Sequence, residues 1–143
     1  MILYLDTSAF LKLYVAEAES ALVRRNIAAC AKAYTHLIAY AEMRAGLAKA
    51  VRVGRLLPTD LPVKVAEFEQ DWTMARVVAA DVAMVRRAGH LAEQFGLRGY
   101  DSVHLAAAEA VWRTVPGVDF RVGVFDGALT DAVRALGMRV LEA

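Results

Sequence analysis

Short apolar runs that stop at an acid alternate with alanine-rich helical stretches along this chain. That alternation limits the fold more than any other feature. Residues 2–5, Ile-Leu-Tyr-Leu, contain no polar member, and Asp6 ends them. "FRVGVF", starting at Phe120, reads as a buried strand in the same way, and Asp126 follows it directly. A continuous apolar run of roughly four to eight residues suits a strand covered on both faces.

Between these runs the apolar positions recur at helical spacing. A helix is expected over Ala9–Tyr14, with Ser8 as its N-cap. Another is expected over Ser20–Lys32, followed by a brief strand at Ala33–Tyr34 and a long helix ending at Gly54. Pro62 opens a further helix, Thr73–Val78 alternates like a strand, and an amphipathic helix closes at Gly96. After the helix in "YDSVHLAAAEAVWR" come the Phe120 run, a helix over Gly127–Leu136 and a last strand, "MRVLE". This order of elements argues for an α/β fold: a three-layer α/β/α sandwich with a mostly parallel central sheet. The 143 residues are expected to form one domain, 1–143.

Hydrophobic residues make up 58% of the chain, more than a core of this size hides comfortably, so a surface that meets a partner or a second copy is expected. Formal net charge is only +1, which leaves any attraction to phosphate to local patches. Arg24 with Arg25, the series Arg44, Lys49, Arg52 and Arg55, and the pair Arg86 and Arg87 are the candidates. Cys30 is the only cysteine, so neither an internal disulfide nor a cysteine-rich metal site is available. With no apolar run of the ~18 residues a membrane span needs, a cytoplasmic location is expected.

Four acids stand at the edges of apolar elements. Asp6 and Asp126 follow strands, and ligands of parallel α/β sheets bind at the carboxyl ends of strands. Glu42 shares a helix face with Ile38, Ala45 and Gly46, where a carboxylate should be paired or gathered with others. Asp101 opens a largely apolar helix, where the helix dipole favours an anion. His104, one turn on, reads as a hydrogen-bonded packing residue. Each acid alone has an ordinary role as a cap or a solvated side chain. Gathered in one cleft, they would repel and protonate unless a hard divalent cation such as Mg²⁺ or Mn²⁺ joined them. Hydrolysis of phosphate esters is the chemistry that uses such a cluster.

The set "LDTSAFLKLY", "AYAEMRAGLA", "YDSVHLAAA" and "FDGALTDAVRALGMRV" resembles, in order and spacing, the PIN-domain family. Within it, the likeness is to the VapC-type toxins of toxin–antitoxin pairs. The resemblance implies a PIN-like fold and a Mg²⁺- or Mn²⁺-dependent endoribonuclease. It assigns catalysis and metal binding to Asp6, Glu42, Asp101 and Asp126, with the hydroxyl of Thr7 or Ser8 supporting the first acid. Val124 stands where the family commonly has Thr or Ser, which weakens the parallel at Asp126. Asp119 reads as a loop residue. The resemblance also implies a VapB-type antitoxin in an apolar groove, with Leu11, Tyr14 and Trp72 as candidate groove residues, an RNA substrate and a homodimer. Which residues contact RNA is unknown from the sequence. A haloacid-dehalogenase-like phosphatase would need an Asp where Ser8 stands. The remaining alternative is a PIN-like module that binds partners without cutting.

Overall fold

The computed structural model describes residues 1–142. A five-stranded, wholly parallel sheet runs through it in the order β3-β2-β1-β4-β5. The strands are β1 (Ile2–Leu5), β2 (Lys32–His36), β3 (Arg76–Val78), β4 (Phe120–Gly123) and β5 (Arg139–Val140). The helices are α1 (Thr7–Leu11), α2 (Ser20–Ala29), α3 (Ala39–Arg52), α4 (Leu61–Met74), α5 (Val82–Phe95), α6 (Gly99–Arg113) and α7 (Gly127–Ala135). The expected α/β/α sandwich with a parallel sheet is therefore the observed fold.

Strand β1 shows why the run at residues 2–5 has no polar member. Successive side chains of a strand point to opposite faces. Ile2 and Tyr4 enter one core with α5, α6 and α7, while Leu3 and Leu5 enter another with α1 to α4. Both faces are covered, so neither set can be polar.

Several boundaries differ from the expectation. Helix α2 stops at Ala29, and β2 takes Lys32. Helix α4 absorbs Thr73 and Met74, leaving a strand of three residues, because its packing against α3 and the aromatic cluster around Phe68 extends it. β4 ends at Gly123 and β5 covers only Arg139–Val140, so Asp126 lies beyond its strand rather than directly after it. The end of α5 falls where the sequence places it, with Gly96 in the left-handed conformation at φ 63°.

The chain places β2 and β3 on one side of β1, then crosses to place β4 and β5 on the other. The β1/β4 seam is thus the topological switch point, where a parallel sheet opens a crevice at its carboxyl edge. Gly123 lets the seam close tightly. A Cβ there would come within 2.8 Å of Leu5 Cδ2 and 3.1 Å of the Ala9 Cβ.

Candidate active site

Asp6 lies at the carboxyl end of β1, and its amide donates to the Gly123 carbonyl at 3.0 Å, which continues the β1–β4 pairing. It is also the N-cap of α1: Oδ1 accepts from the Ala9 amide at 3.0 Å and from the Ser8 hydroxyl at 2.7 Å. The expectation that Ser8 caps this helix is therefore corrected. Asp has the extended backbone at the cap position, and Ser8 already lies inside the first turn. Ser8 supports Asp6 from the side instead, and its Oγ also accepts from the Phe125 amide at 3.3 Å. One hydroxyl thereby ties the β1–α1 turn to the β4–α7 loop.

The Asp6 side chain is buried, and that has an electrostatic cost. Burial pushes its carboxyl up to about 6, against the pull of His104, Ser8 and the Ala9 amide, and the Asp101 charge adds to the push. A buried anion beside other anions is short of positive charge.

Glu42 stands in the first turn of α3. Its Oε1 accepts from the Thr7 hydroxyl at 2.9 Å and lies 2.7 Å from His104 Nε2. Burial works against its charge, but His104 and Thr7 outweigh it and hold the carboxyl below its ordinary range. Asp101 lies in the first turn of α6 and accepts from the exposed Arg98 at 2.9 Å. Asp126 caps α7 through Oδ2 and the Leu129 amide at 3.2 Å. The charges of Asp101, Asp126 and Glu42 all act on the Arg98 guanidinium, after its hydrogen bond to Asp101, and together they raise its pKa. Three of the acids thus act on Arg98 and Asp101 acts on Asp6, while each acid is steadied by a different partner. Among the described residues, no three Asp, Glu, His or Cys side chains meet as a ready-made metal constellation.

Sequence reasoning missed Tyr4 and His36, and it gave His104 only a packing role. Tyr4 reads as core, yet its hydroxyl lies 2.9 Å from His104 Nδ1, inside the buried layer. His104 is hydrogen-bonded as expected, but its partner is one of the candidate acids. His36 ends β2, where Nδ1 accepts from the Ile38 amide and Nε2 is buried without a partner among the described residues. Burial and the neighbouring His104 push the His36 ring pKa down. Only the three-residue spacing from Asp101 to His104 hints at any of this in the sequence. Val124 is buried core, so no hydroxyl stands at that position. Of the candidate basic patches, Arg87 is committed elsewhere: it forms a two-pronged bond to buried Glu109, which also accepts from Arg113.

Away from the acids, an apolar groove of about 490 Å³ runs between α1, α2, α4 and the sheet. Phe10, Leu13, Tyr14, Ile27, Tyr34 and Met74 line it, with Arg24, Glu67 and Asp71 at its polar positions. Of the three candidate groove residues, only Tyr14 lies there. Leu11 and Trp72 pack against the core, Leu11 beside Gly46 and Trp72 stacked on Phe10. No helix among the described residues is long and apolar enough to cross a membrane.

Comparison with known proteins places the chain in a family. The PIN domain model matches residues 3–111, a span that holds Asp6, Glu42 and Asp101 and leaves out Asp126. Ribonuclease VapC49 of Mycobacterium tuberculosis is 38% identical over 142 residues, covering 99% of this chain and 96% of that protein. Ribonuclease VapC46 of the same organism is 33% identical, covering 97% and 95%. Among solved structures, FitAcB from Neisseria gonorrhoeae superposes with a TM-score of 0.67 at 20% identity, covering 99% of this chain and 97% of that one. M. tuberculosis VapC20, a sarcin-ricin loop cleaving toxin, gives 0.64 at 18% identity, covering 95% of each chain; at such identities the likeness concerns the fold. On the family match and the near-full-length relatives, the chain belongs to the PIN domain family and, within it, to the VapC ribonucleases.

Proposed function

We propose that this protein is an endoribonuclease that hydrolyses RNA phosphodiester bonds with Mg²⁺ or Mn²⁺, and that it is the toxin of a toxin–antitoxin pair. The observation that carries the metal reading is the electrostatics of four carboxylates from four segments: Asp101 acts on Asp6, Asp101, Asp126 and Glu42 act on Arg98, and Asp6 is buried with its carboxyl raised to about 6. An all-oxygen donor set short of positive charge fits a hard divalent cation in type and in charge. Asp6, Glu42 and Asp101 would hold it, with Asp126 assisting. Bound there, the cation would supply Lewis acidity toward water and phosphate. The chain's own residues set the frame. Ser8 and the Ala9 amide fix Asp6, His104 and Thr7 fix Glu42, and the Leu129 amide fixes Asp126. Attack by water in line with the leaving oxygen would yield 5′-phosphate and 3′-hydroxyl ends.

The test is cleavage of structured RNAs by the purified protein with Mg²⁺ and with EDTA. Asp6→Asn and Asp101→Asn should abolish cleavage; if either cuts as well as the parent, the site is wrong. A second reading, a module that binds partners without cutting, draws on one observation: Glu42 and Asp101 are already engaged by His104 and Arg98. Stabilisation by Mn²⁺ that depends on Asp6 would exclude it.

The partner proposed is a VapB-type antitoxin whose apolar side chains fill the groove lined by Tyr14 and Met74, with Arg24 and Asp71 available to its charges. Co-purification of the antitoxin encoded beside this chain is the check. A homodimer, formed with a second copy, would cover exposed Val82, Val85 and Tyr100 around a shallow apolar hollow of about 430 Å³.

A further inference from the structure

His104 is only 3% exposed, yet both of its ring nitrogens face oxygen atoms. Nε2 lies 2.7 Å from Glu42 Oε1 and 3.3 Å from Thr7 Oγ1, and Nδ1 lies 2.9 Å from the Tyr4 hydroxyl. The direction of these bonds follows by elimination. A nitrogen facing a carboxylate oxygen at that distance must carry the proton, because two lone pairs would repel. In the neutral ring Nδ1 is then the acceptor, and the Tyr4 phenol donates to it. Thr7 donates to the same Glu42 oxygen. A chain of donors therefore runs from the core to the crevice. Its first member, Tyr4, belongs to the central strand and is wholly buried, so it cannot shift without opening the core.

Glu42 by itself is poorly restrained. It projects from the first turn of α3, and its side chain is 25% exposed. Both donors act on Oε1, and among the described residues no hydrogen bond falls on Oε2. The arrangement holds one oxygen and presents the other.

We propose that Tyr4 and His104 are positioning residues that fix the Glu42 carboxylate for a divalent cation, and that this clamp sets how tightly the site binds Mg²⁺ or Mn²⁺. The inference rests on the reading of Glu42 as a cation ligand. The role resembles that of partners behind the ligands in other metal sites, whose loss costs about 10- to 100-fold in affinity.

The experiment is Mn²⁺ binding by calorimetry at fixed pH, on protein checked for folding by thermal melting. Tyr4→Phe and His104→Leu should each weaken binding about 10-fold. His104→Gln, which keeps an N–H donor on a side chain of similar reach, should retain most of the affinity. Adding His104→Leu to Glu42→Gln should cause no further loss, because the clamp then has nothing to hold. Parent affinity in Tyr4→Phe and His104→Leu, with weakened binding in Glu42→Gln, would overturn the clamp and leave the metal reading intact. Parent affinity in Glu42→Gln itself would remove the metal reading and the clamp together. Tyr4→Phe keeps the ring and removes a single hydroxyl, so it decides the matter if His104→Leu fails to fold.

Discussion

Replacing Gly123 with alanine sets a small backbone gain against a larger steric loss. Glycine in a strand interior costs roughly 0.5–1 kcal/mol of conformational entropy relative to alanine, so in open space the change would stabilise. Here the new Cβ would lie 2.8 Å from Leu5 Cδ2, 3.1 Å from the Ala9 Cβ and 3.3 Å from Leu141 Cδ1. Leu5 is 2% exposed in a filled core, and the Ala9 Cβ is fixed to the α1 backbone, so neither can simply swing away. Overpacking of this kind costs about 1–3 kcal/mol. At the middle of both ranges the steric term wins, with a net loss of about 1 kcal/mol. For a chain near this length that lowers the melting temperature by roughly 2–8 °C. Urea unfolding followed by circular dichroism measures it directly. The same displacement moves Asp6, whose amide bonds to the Gly123 carbonyl, so Mn²⁺ affinity should fall with stability. A Gly123→Ala protein with the parent's urea midpoint would refute the reasoning, because it would mean that the β1–β4 seam has room the geometry denies.

Other outcomes are expected from separate parts of the structure. Glu109 is held below its ordinary pKa by Arg87 first and Arg113 second, so its contribution to stability is full above the unfolded value and is lost as pH falls through the lower folded value. Glu109→Gln should cost roughly 1–3 kcal/mol at pH 7 and flatten the acid limb of a stability–pH curve; a limb that stays as steep would argue against it. Met74 is 82% exposed at the groove, and Met74→Glu should weaken antitoxin binding about 10-fold, near 1.4 kcal/mol, in a calorimetric titration without lowering the melting temperature. Val85→Arg should leave the chain monomeric in light scattering at concentrations where the parent dimerises; a parent that is monomeric throughout removes that surface from consideration.

Much of the sandwich was legible because its signals are local. A short apolar run ended by an acid, such as residues 2–5, suits a strand covered on both faces. Gly96 ended its helix where expected because a left-handed cap is a property of one residue. Boundaries set by packing were harder to read. Thr73 and Met74 carry a strand-like pattern, yet α4 keeps them because the rest of that helix is anchored on Phe68 and Trp72. At the candidate site, Asp6 and Asp126 stood out as carboxylates that follow apolar runs, Asp101 as one that opens an apolar helix and Glu42 as one on an apolar helix face. The capping role went to Ser8 rather than Asp6 in the sequence, because the choice depends on where the turn begins by a single residue.

Sequence alone determined the alternation of elements, the burial of the first strand and the choice of candidate acids, since each follows from the order of polar and apolar residues. The partners of those acids were decided only by the fold. Tyr4 and His104 are separated by 100 residues, and Glu42 and His104 by 62, so no local pattern can pair them. Crossing from β3 to β4 brings α6 beside the end of β1, and burial there turns a phenol, an imidazole and a carboxylate into one hydrogen-bonded chain, because in a dry interior each polar group must find another.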